Sequence, residues 1–332
     1  MGALKKPYYE QISVTRKENN MKKISIMVPC YNEEENVVPM SEALVKQLEE
    51  MTNYDYEIVF IDNCSLDSTR DLLREICANN PKIKAIFNTK NFGQFNSPYH
   101  GICQTTGDCT ISVCCDFQDP VEMIPKFVEE WEKGYKIVCG VKTSSKESKL
   151  MYAMRSIYYK LIKKLSTVQQ IEHFTGFGLY DKSFVDVLRE LDDPTPFIRG
   201  IVGELGPRIK LIEYEQPQRR AGKTSNNFFS LYDAAMLSFT SYTKIGPRLA
   251  TFGGAFLSFM SFLAAIVCIV LKIINPAYFF TTGTAAIIIT MCFLCGVQLF
   301  FLGVMGEYIT NMSKRIMKRP LVVEEERLNF DK

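Results

Sequence analysis

Short apolar runs alternate with longer stretches of helical spacing through the first half of the chain. Ile24 to Val28 is such a run, stopped by Pro29, and predicts a buried strand. Glu33 to Glu50 predicts a helix with acidic residues in its first turn, which suits the helix dipole. Tyr56 to Ile61 predicts the next strand, and Asp67 or Ser65 is placed to cap the helix after it. Lys84 to Phe87, Thr110 to Cys114 and Lys136 to Gly140 continue the strands, with helices over Gln94 to Gln104 and Val121 to Lys133. This rhythm predicts an α/β fold: a doubly wound, largely parallel sheet with helices on both faces. Ligands of such sheets bind beyond the carboxyl ends of the strands. The polar residues expected there are Tyr31, Asn32, Asp62, Asn91 and Asp116.

After Gly140 the pattern changes. Leu150, Met154, Ile157, Tyr158, Leu161 and Leu165 share one helical face, beside Arg155, Lys160, Lys163 and Lys164. A basic amphipathic helix of this kind lies on a membrane surface or packs on a core. Pattern alone leaves both readings open. Phe228 to Tyr242 predicts a second apolar, aromatic helix. Beyond it, Leu249 to Leu271 and Gly283 to Gly306 carry no charge and are long enough to cross a bilayer. The chain thus divides into an extension (1–21), a soluble domain (22–227), a juxtamembrane helix (228–248), a two-helix transmembrane hairpin (249–306) and a C-terminal tail (307–332).

Charge changes the picture by its distribution. The formal net charge is +2, so a nucleic-acid partner is not indicated. Lys244 and Arg248 precede the first span and Lys314, Arg315, Lys318 and Arg319 follow the second, whereas the connection between spans holds only Lys272. The positive-inside rule then puts the soluble domain on the cytoplasmic side of the cell membrane. The chain has 11 cysteines, an odd number at irregular spacing, which in that compartment does not form a disulfide framework. The sequons at Asn63 and Asn311 are for the same reason poor glycosylation sites.

The chemistry-bearing candidates are few. Asp116, Gln118 and Asp119 follow the fourth strand and supply the hard oxygen ligands that Mg²⁺ or Mn²⁺ takes together with ligand phosphates. Such a metal neutralises charge on a leaving diphosphate. A short acidic turn is more often a solvated loop, and its place at a strand end raises its standing. Arg219 and Arg220 lie in a basic loop from Gln216 to Ser225, read either as a phosphate clamp or as a solvated juxtamembrane stretch. Gly222-Lys223-Thr224 is not a P-loop, because Pro217 stands where the first glycine belongs. No GxGxxG follows the first strand, which disfavours a nicotinamide dinucleotide. His100 and His173 are the only histidines, and their spacing suggests neither a nucleophilic triad nor a metal pair.

In order along the chain, Val28-Pro-Cys-Tyr-Asn-Glu-Glu-Glu-Asn36, Ile61-Asp-Asn-Cys-Ser-Leu-Asp-Ser-Thr69, Asn91-Phe-Gly93, Asp116-Phe-Gln-Asp-Pro120 and Arg219-x-x-Gly222 resemble the family 2 glycosyltransferases with a GT-A fold. They are similar in particular to the dolichol-phosphate-mannose-synthase-like branch, which glycosylates polyprenyl phosphate. Its bacterial members with a C-terminal two-span hairpin share the layout from residue 22 to 330. The resemblance implies a nucleotide-diphosphate sugar donor and a polyprenyl phosphate acceptor, undecaprenyl or dolichyl. It implies that Pro29, Tyr31, Glu33 and Asp62 hold base and ribose, that Asp116 and Gln118 bind metal, and that Lys142, Arg219 and Arg155 lie near donor or acceptor phosphates. Homo-oligomers, a tetramer among them, are also implied, with Leu321-Val-Val323 adding a strand between subunits. Three positions depart from the family pattern: Cys114-Cys115-Asp116 replaces Asp-Ala-Asp, Asn63-Cys64 replaces Asp-Gly, and the lysine expected after the arginine-loop glycine falls at Ser225, with Lys223 nearby.

The expected function is therefore an inner-membrane, multi-pass glycosyltransferase that transfers a sugar with inversion to polyprenyl phosphate, for modification of a cell-envelope glycan. Asp116, Asp119 and Arg219 are its expected catalytic residues. The alternative is a non-catalytic nucleotide-sugar-binding membrane subunit.

Overall fold

The structure, a computed structural model, describes residues 21–144, 171–191, 193–222, 228–243, 245–274, 284–317 and 319–330. The chain forms two compact units. One comprises residues 1–157, 169–226 and 318–332, the other 158–168 and 227–317.

The first unit is built on an eight-stranded sheet in the order β7-β5-β6-β4-β1-β2-β3-β8. Its strands are β1 (Lys23–Cys30), β2 (Asp55–Asp62), β3 (Ile83–Asn88), β4 (Cys109–Ser112), β5 (Ile137–Ser144), β6 (Phe174–Asp181), β7 (Ile209–Glu215) and β8 (Glu324–Leu328). β1 pairs in parallel with β2 and β4, β2 with β3, and β5 with β7. β6 is antiparallel to β4 and β5, and β8 is antiparallel to β3. The strands are interspersed with α1 (Val37–Glu49), α2 (Thr69–Asn79), α3 (Gly93–Gln104), α4 (Ile124–Glu132), α5 (Lys182–Leu191) and α6 (Ile198–Leu205).

Strand alternation explains the two-sided core. Ile24, Ile26, Val28, Ile58, Phe60 and Phe87 join α1, α2 and α4 through Met40, Leu44, Leu73 and Phe127. Met27, Val59, Ile61 and Ile86 face the other way and join α3, α5 and α6 through Tyr99, Ile102, Phe184 and Val202. This is the largely parallel, helix-covered sheet that the hydrophobic pattern predicts.

Two local expectations are corrected and one strand is added. The first helix starts at Val37, and its first turn holds no acidic residue. Glu33, Glu34 and Glu35 form the preceding turn, where the Glu33 carbonyl accepts from the Asn36 and Val37 amides at 2.9 Å each. Their charges serve a neighbour: Glu34 Oε2 accepts the Ser68 amide at 3.0 Å, and Asp67 Oδ2 accepts the Glu34 amide at 3.2 Å. Ser65 does not cap α2, because its hydroxyl takes the Asn32 amide at 2.8 Å, while Asp67 Oδ1 takes the Thr69 amide at 3.1 Å. The last strand is Glu324–Leu328, after the 321–323 run, and it pairs with β3 of its own chain. The end of the expected tail is thus an edge of the main sheet.

The second unit contains α7 (Phe228–Tyr242), α8 (Ile245–Ile274) and α9 (Thr284–Ile316). Tyr308 donates to the Thr243 carbonyl at 2.9 Å, and Asn311 bonds to the Thr240 hydroxyl, tying α9 to the segment before α8. A groove of about 380 Å³ runs between α8 and α9, lined by Gly254, Leu257, Leu294 and Phe301 among others. Phe252, Phe262, Phe293 and Phe300 are exposed on these helices. Among the described residues, Phe293–Ile316 is long and apolar enough to cross a membrane. The first expected span, 249–271, lies within α8.

Candidate active site

The carboxyl ends of β1, β2, β3 and β4 are joined by side chains that bond to neighbouring backbone. Asn32, with φ of 55°, accepts the Leu66 amide at 2.8 Å, and the Glu33 amide donates to the Thr69 hydroxyl at 2.9 Å. The turn after β1, which holds Tyr31 and Glu33 just beyond Pro29, is thereby fixed to the turn after Asp62. Asp62 ends β2 with its side chain fully buried. Its carboxylate accepts the Ser65 amide at 3.2 Å and stands 3.1 Å from Arg70 Nε.

Asn63 fixes the third turn. Its Nδ2 donates to Asn91 Oδ1 at 2.9 Å and to the Gly93 carbonyl at 3.3 Å. Its Oδ1 accepts the Phe92 amide at 2.9 Å and Asn88 Nδ2 at 3.3 Å. Asn91 Oδ1 also takes the Gly93 amide at 2.8 Å. Gly93 enters α3 at φ of 90°, a conformation that favours glycine. The Asn-Phe-Gly motif is thus a turn held by neutral amides.

The charged cluster lies after β4. Asp116 Oδ1 accepts the Gln118 amide at 3.0 Å, and Phe117 between them has φ of 61°. Arg219 Nη2 stands 2.8 Å from Asp116 Oδ2, and its Nη1 is 3.7 Å from Glu33 Oε1. The loop backbone is held too. The Arg220 amide donates to the Asp116 carbonyl at 3.3 Å, and Asn36 Nδ2 donates to the Ala221 carbonyl at 3.3 Å and to Glu33 Oε2 at 2.6 Å. Arg220 lies over the Phe117 ring at 5.3 Å. Of the two arginines, Arg219 is the one that reaches both carboxylates.

Asp119 makes a separate set of bonds. Its Oδ2 accepts the Cys114 amide at 3.0 Å and its Oδ1 accepts the Tyr214 hydroxyl at 3.1 Å. It closes the Cys114 to Asp119 turn and ties it to β7, whose end leads into the arginine loop. Lys142 projects from β5, half-buried, and its positive charge partly offsets the effect of burial on Asp119. Arg155 and the lysine-rich helix expected around it lie outside the described residues, as do Lys223 to Ser225.

Burial pushes the Glu33 carboxyl above its ordinary range, against the pull of the Asn36 amide and Arg219. Burial also raises Asp62, against its Ser65 bonds and Arg70. Asp119 is raised by burial too. The strand carboxyl ends therefore gather acids whose charge the surrounding protein does not fully compensate. No group of three or more His, Cys, Asp or Glu side chains forms a metal cage among the described residues. The oxygen donors of Asp116 and Gln118 fit a hard divalent cation that takes few protein ligands and completes its shell with phosphate oxygens and water.

Several participants were not singled out from sequence. Asn36 carries a signal in the first motif, and Asn63 one in the second, but their partners are distant in the chain. Tyr214 reads simply as a strand residue, and Arg70 as a surface position on a helix.

The chain is similar to known proteins over most of its length. The family model "Glycosyl transferase family 2" matches residues 25–188. A bactoprenol glucosyl transferase of Shigella phage SfX is 32% identical over 301 residues, covering 90% of this chain and 97% of the relative. The SfII prophage-derived bactoprenol glucosyl transferase of Shigella flexneri is 31% identical, covering 90% of this chain and 96% of its own. Among solved structures, mannosyl-3-phosphoglycerate synthase from Rubrobacter xylanophilus aligns with a TM-score of 0.48 and 14% identity, covering 70% of this chain and 75% of that one. With the motif turns assembled at one end of the sheet and relatives matched along nearly their whole length, the chain belongs to glycosyl transferase family 2.

Proposed function

We propose that this protein transfers a sugar from a nucleoside-diphosphate sugar to polyprenyl phosphate, with inversion at the anomeric carbon, for modification of a cell-envelope glycan. The observation that carries the reading is the convergence of Glu33, Asp62, Asp116 and Arg219 at the strand carboxyl ends. The relatives matched over nearly their whole length, bactoprenol glucosyl transferases, support the acceptor and make glucose the first sugar to test.

Pro29, Tyr31, Glu33 and Asp62 line the donor side of the site and hold base and ribose. Asp116 and Gln118 would hold Mg²⁺ or Mn²⁺, which when bound neutralises charge on the departing diphosphate. Arg219 is the cation assigned to the donor diphosphate. Its partners here are carboxylates, and a bidentate guanidinium binds diphosphate oxygens at least as readily. Lys142 adds positive charge from β5. Asp119 is a positioning residue, acting through the Cys114 amide and the Tyr214 hydroxyl. The acceptor is a phosphate monoester, largely ionised near neutral pH, so its oxygen attacks without a strong general base. The protein's part is to orient the two substrates and exclude water. Arg155 is assigned to the acceptor phosphate.

The apolar helices would hold the enzyme at the cytoplasmic face of the inner membrane as a multi-pass anchor, and a homo-oligomer fits this reading. The test is turnover by the full-length protein with a nucleotide-sugar panel and undecaprenyl phosphate. Transfer to lipid supports the reading. Donor binding without turnover on any panel member would instead make this a nucleotide-sugar-binding subunit.

A further inference from the structure

Arg70 stands in the first turn of α2, where the ends of β2 and β3 meet β8. Its Nε is 3.1 Å from Asp62 Oδ2, an ion pair without hydrogen-bond geometry. Its Nη2 donates to Glu325 Oε2 at 2.7 Å and to the Asn88 carbonyl at 3.4 Å. The guanidinium lies over the Phe87 ring at 5.1 Å. One arginine therefore links the buried carboxylate at the end of β2 to the last strand of the chain.

A neighbouring pair gives the comparison. Arg74, one helical turn on, stands 2.9 Å from Glu326 and lies over the same Phe87 ring at 4.9 Å. That pair also fastens β8 to α2, but Arg74 has no contact with Asp62 among its ion pairs with Asp71 and Glu326. Strand attachment alone would be served by either pair. Only Arg70 spans a β8 carboxylate and a carboxylate of the candidate donor site. A guanidinium held from one side only can turn about its long side chain, and a second carboxylate removes that freedom.

We propose that Arg70 and Glu325 are positioning residues for the nucleotide-sugar donor: the C-terminal strand, through Glu325, holds Arg70 against Asp62 and so sets the carboxylate that meets base and ribose. This rests on the donor role given to Asp62 above. The stretch of chain that follows the apolar helices then completes the donor site in the sheet. A protein cut after the arginine loop would lack this support even if the remaining sheet folded.

The test uses full-length protein in detergent, with initial rates measured against UDP-glucose, or the panel donor that turns over, at saturating undecaprenyl phosphate. Glu325→Gln is expected to raise the donor KM about threefold to tenfold, with kcat and acceptor KM within about twofold. Arg70→Ala is expected to raise donor KM further. Glu326→Gln, which removes the other tie between β8 and α2, is expected to leave donor KM near wild type. Equal shifts for Glu325→Gln and Glu326→Gln would overturn the proposal and leave β8 a simple edge strand. So would a wild-type donor KM for Glu325→Gln when Asp62→Asn raises it. An unchanged donor KM for Asp62→Asn would overturn the donor reading itself, and this proposal with it.

Discussion

At the amino ends of β1 and β2, Glu57 is buried among partners that use both of its oxygens. At the carboxyl ends of β1, β2 and β4, Glu33, Asp62 and Asp119 are buried with less compensation. Glu57 accepts from the Ser25 hydroxyl at 2.6 Å and from the Thr106 amide at 2.6 Å, and pairs with Lys23 at 2.8 Å and Lys84 at 2.9 Å. Burial works against its charge, but these partners outweigh burial and hold the carboxyl at about 2. Glu33, Asp62 and Asp119 move the opposite way because burial dominates. Both clusters are charged, so charge density does not distinguish structure from function. Compensation separates the two ends: the amino end is complete within the protein, and the carboxyl end leaves acids that burial holds above their ordinary range.

The largest expected effect breaks the carboxyl-end cluster at its centre. Asp116→Asn should lower turnover by about a thousandfold while the thermal unfolding midpoint stays close to wild type, since the amide oxygen can still accept from the Gln118 amide. Near-normal turnover in Mg²⁺ or Mn²⁺ would remove Asp116 from the chemistry. The mirror experiment is Glu57→Gln. Glu57 has a folded value of about 2 against an ordinary 4.5. A depressed carboxyl contributes stability above its unfolded value and loses it as pH falls through the folded one. The wild-type protein should therefore lose about 3 kcal/mol from this group as pH falls from 4.5 to 2, and the variant should lack that portion of the acid limb. Urea unfolding at a series of pH values measures the difference. A turnover defect exceeding the stability defect would contradict the division between the two ends.

Much of this arrangement is legible in the sequence, for identifiable reasons. Ile24 to Val28 and Tyr56 to Ile61 are mostly apolar runs, broken only by Ser25 and Glu57, because their strands are buried on both faces, and such runs stand out. Asp62 and Asp116 are legible because each follows such a run, where a sheet presents its ligands. β8 is not legible. Glu324-Glu-Glu-Arg-Leu328 has the composition of a solvated tail, and it becomes a strand only because the edge of β3 is open and Arg70 and Arg74 face its carboxylates. The start of α1 is missed for a related reason: Glu33 and Glu34 look like a first helical turn, yet their bonds run to Asn36 and to Ser68. Pairings between distant segments leave no periodicity in either segment, and local reading cannot recover them.

A smaller effect separates the two loop arginines. Arg219 is only 26% exposed and reaches Asp116 and Glu33, whereas Arg220 rests on the Phe117 ring. Arg219→Ala should lower kcat/KM by about thirtyfold, and Arg220→Ala by no more than about threefold. Steady-state kinetics on both variants, at matched expression and unfolding midpoints, measures the contrast. Equal small losses would return the loop to a solvated surface.

The smallest expected effect tests the neutral network beside the charged one. Asn63 uses its Nδ2 toward two acceptors, Asn91 Oδ1 and the Gly93 carbonyl. In Asn63→Asp, one carboxylate oxygen still accepts the Phe92 amide, but the other faces those same acceptors. Asn91 cannot relieve this by turning over, because its Oδ1 is already held by the Gly93 amide at 2.8 Å. The site is buried, so the added charge also loses water. The variant restores the acidic residue of the family pattern and should nonetheless lose about 1 to 2 kcal/mol of stability, with turnover changed by about threefold or less. Denaturant unfolding beside a donor titration measures both. A variant as stable as wild type would mean that the Asn63 amide does not hold the third turn, and that the neutral half of the carboxyl end is less committed to structure than its hydrogen bonds imply.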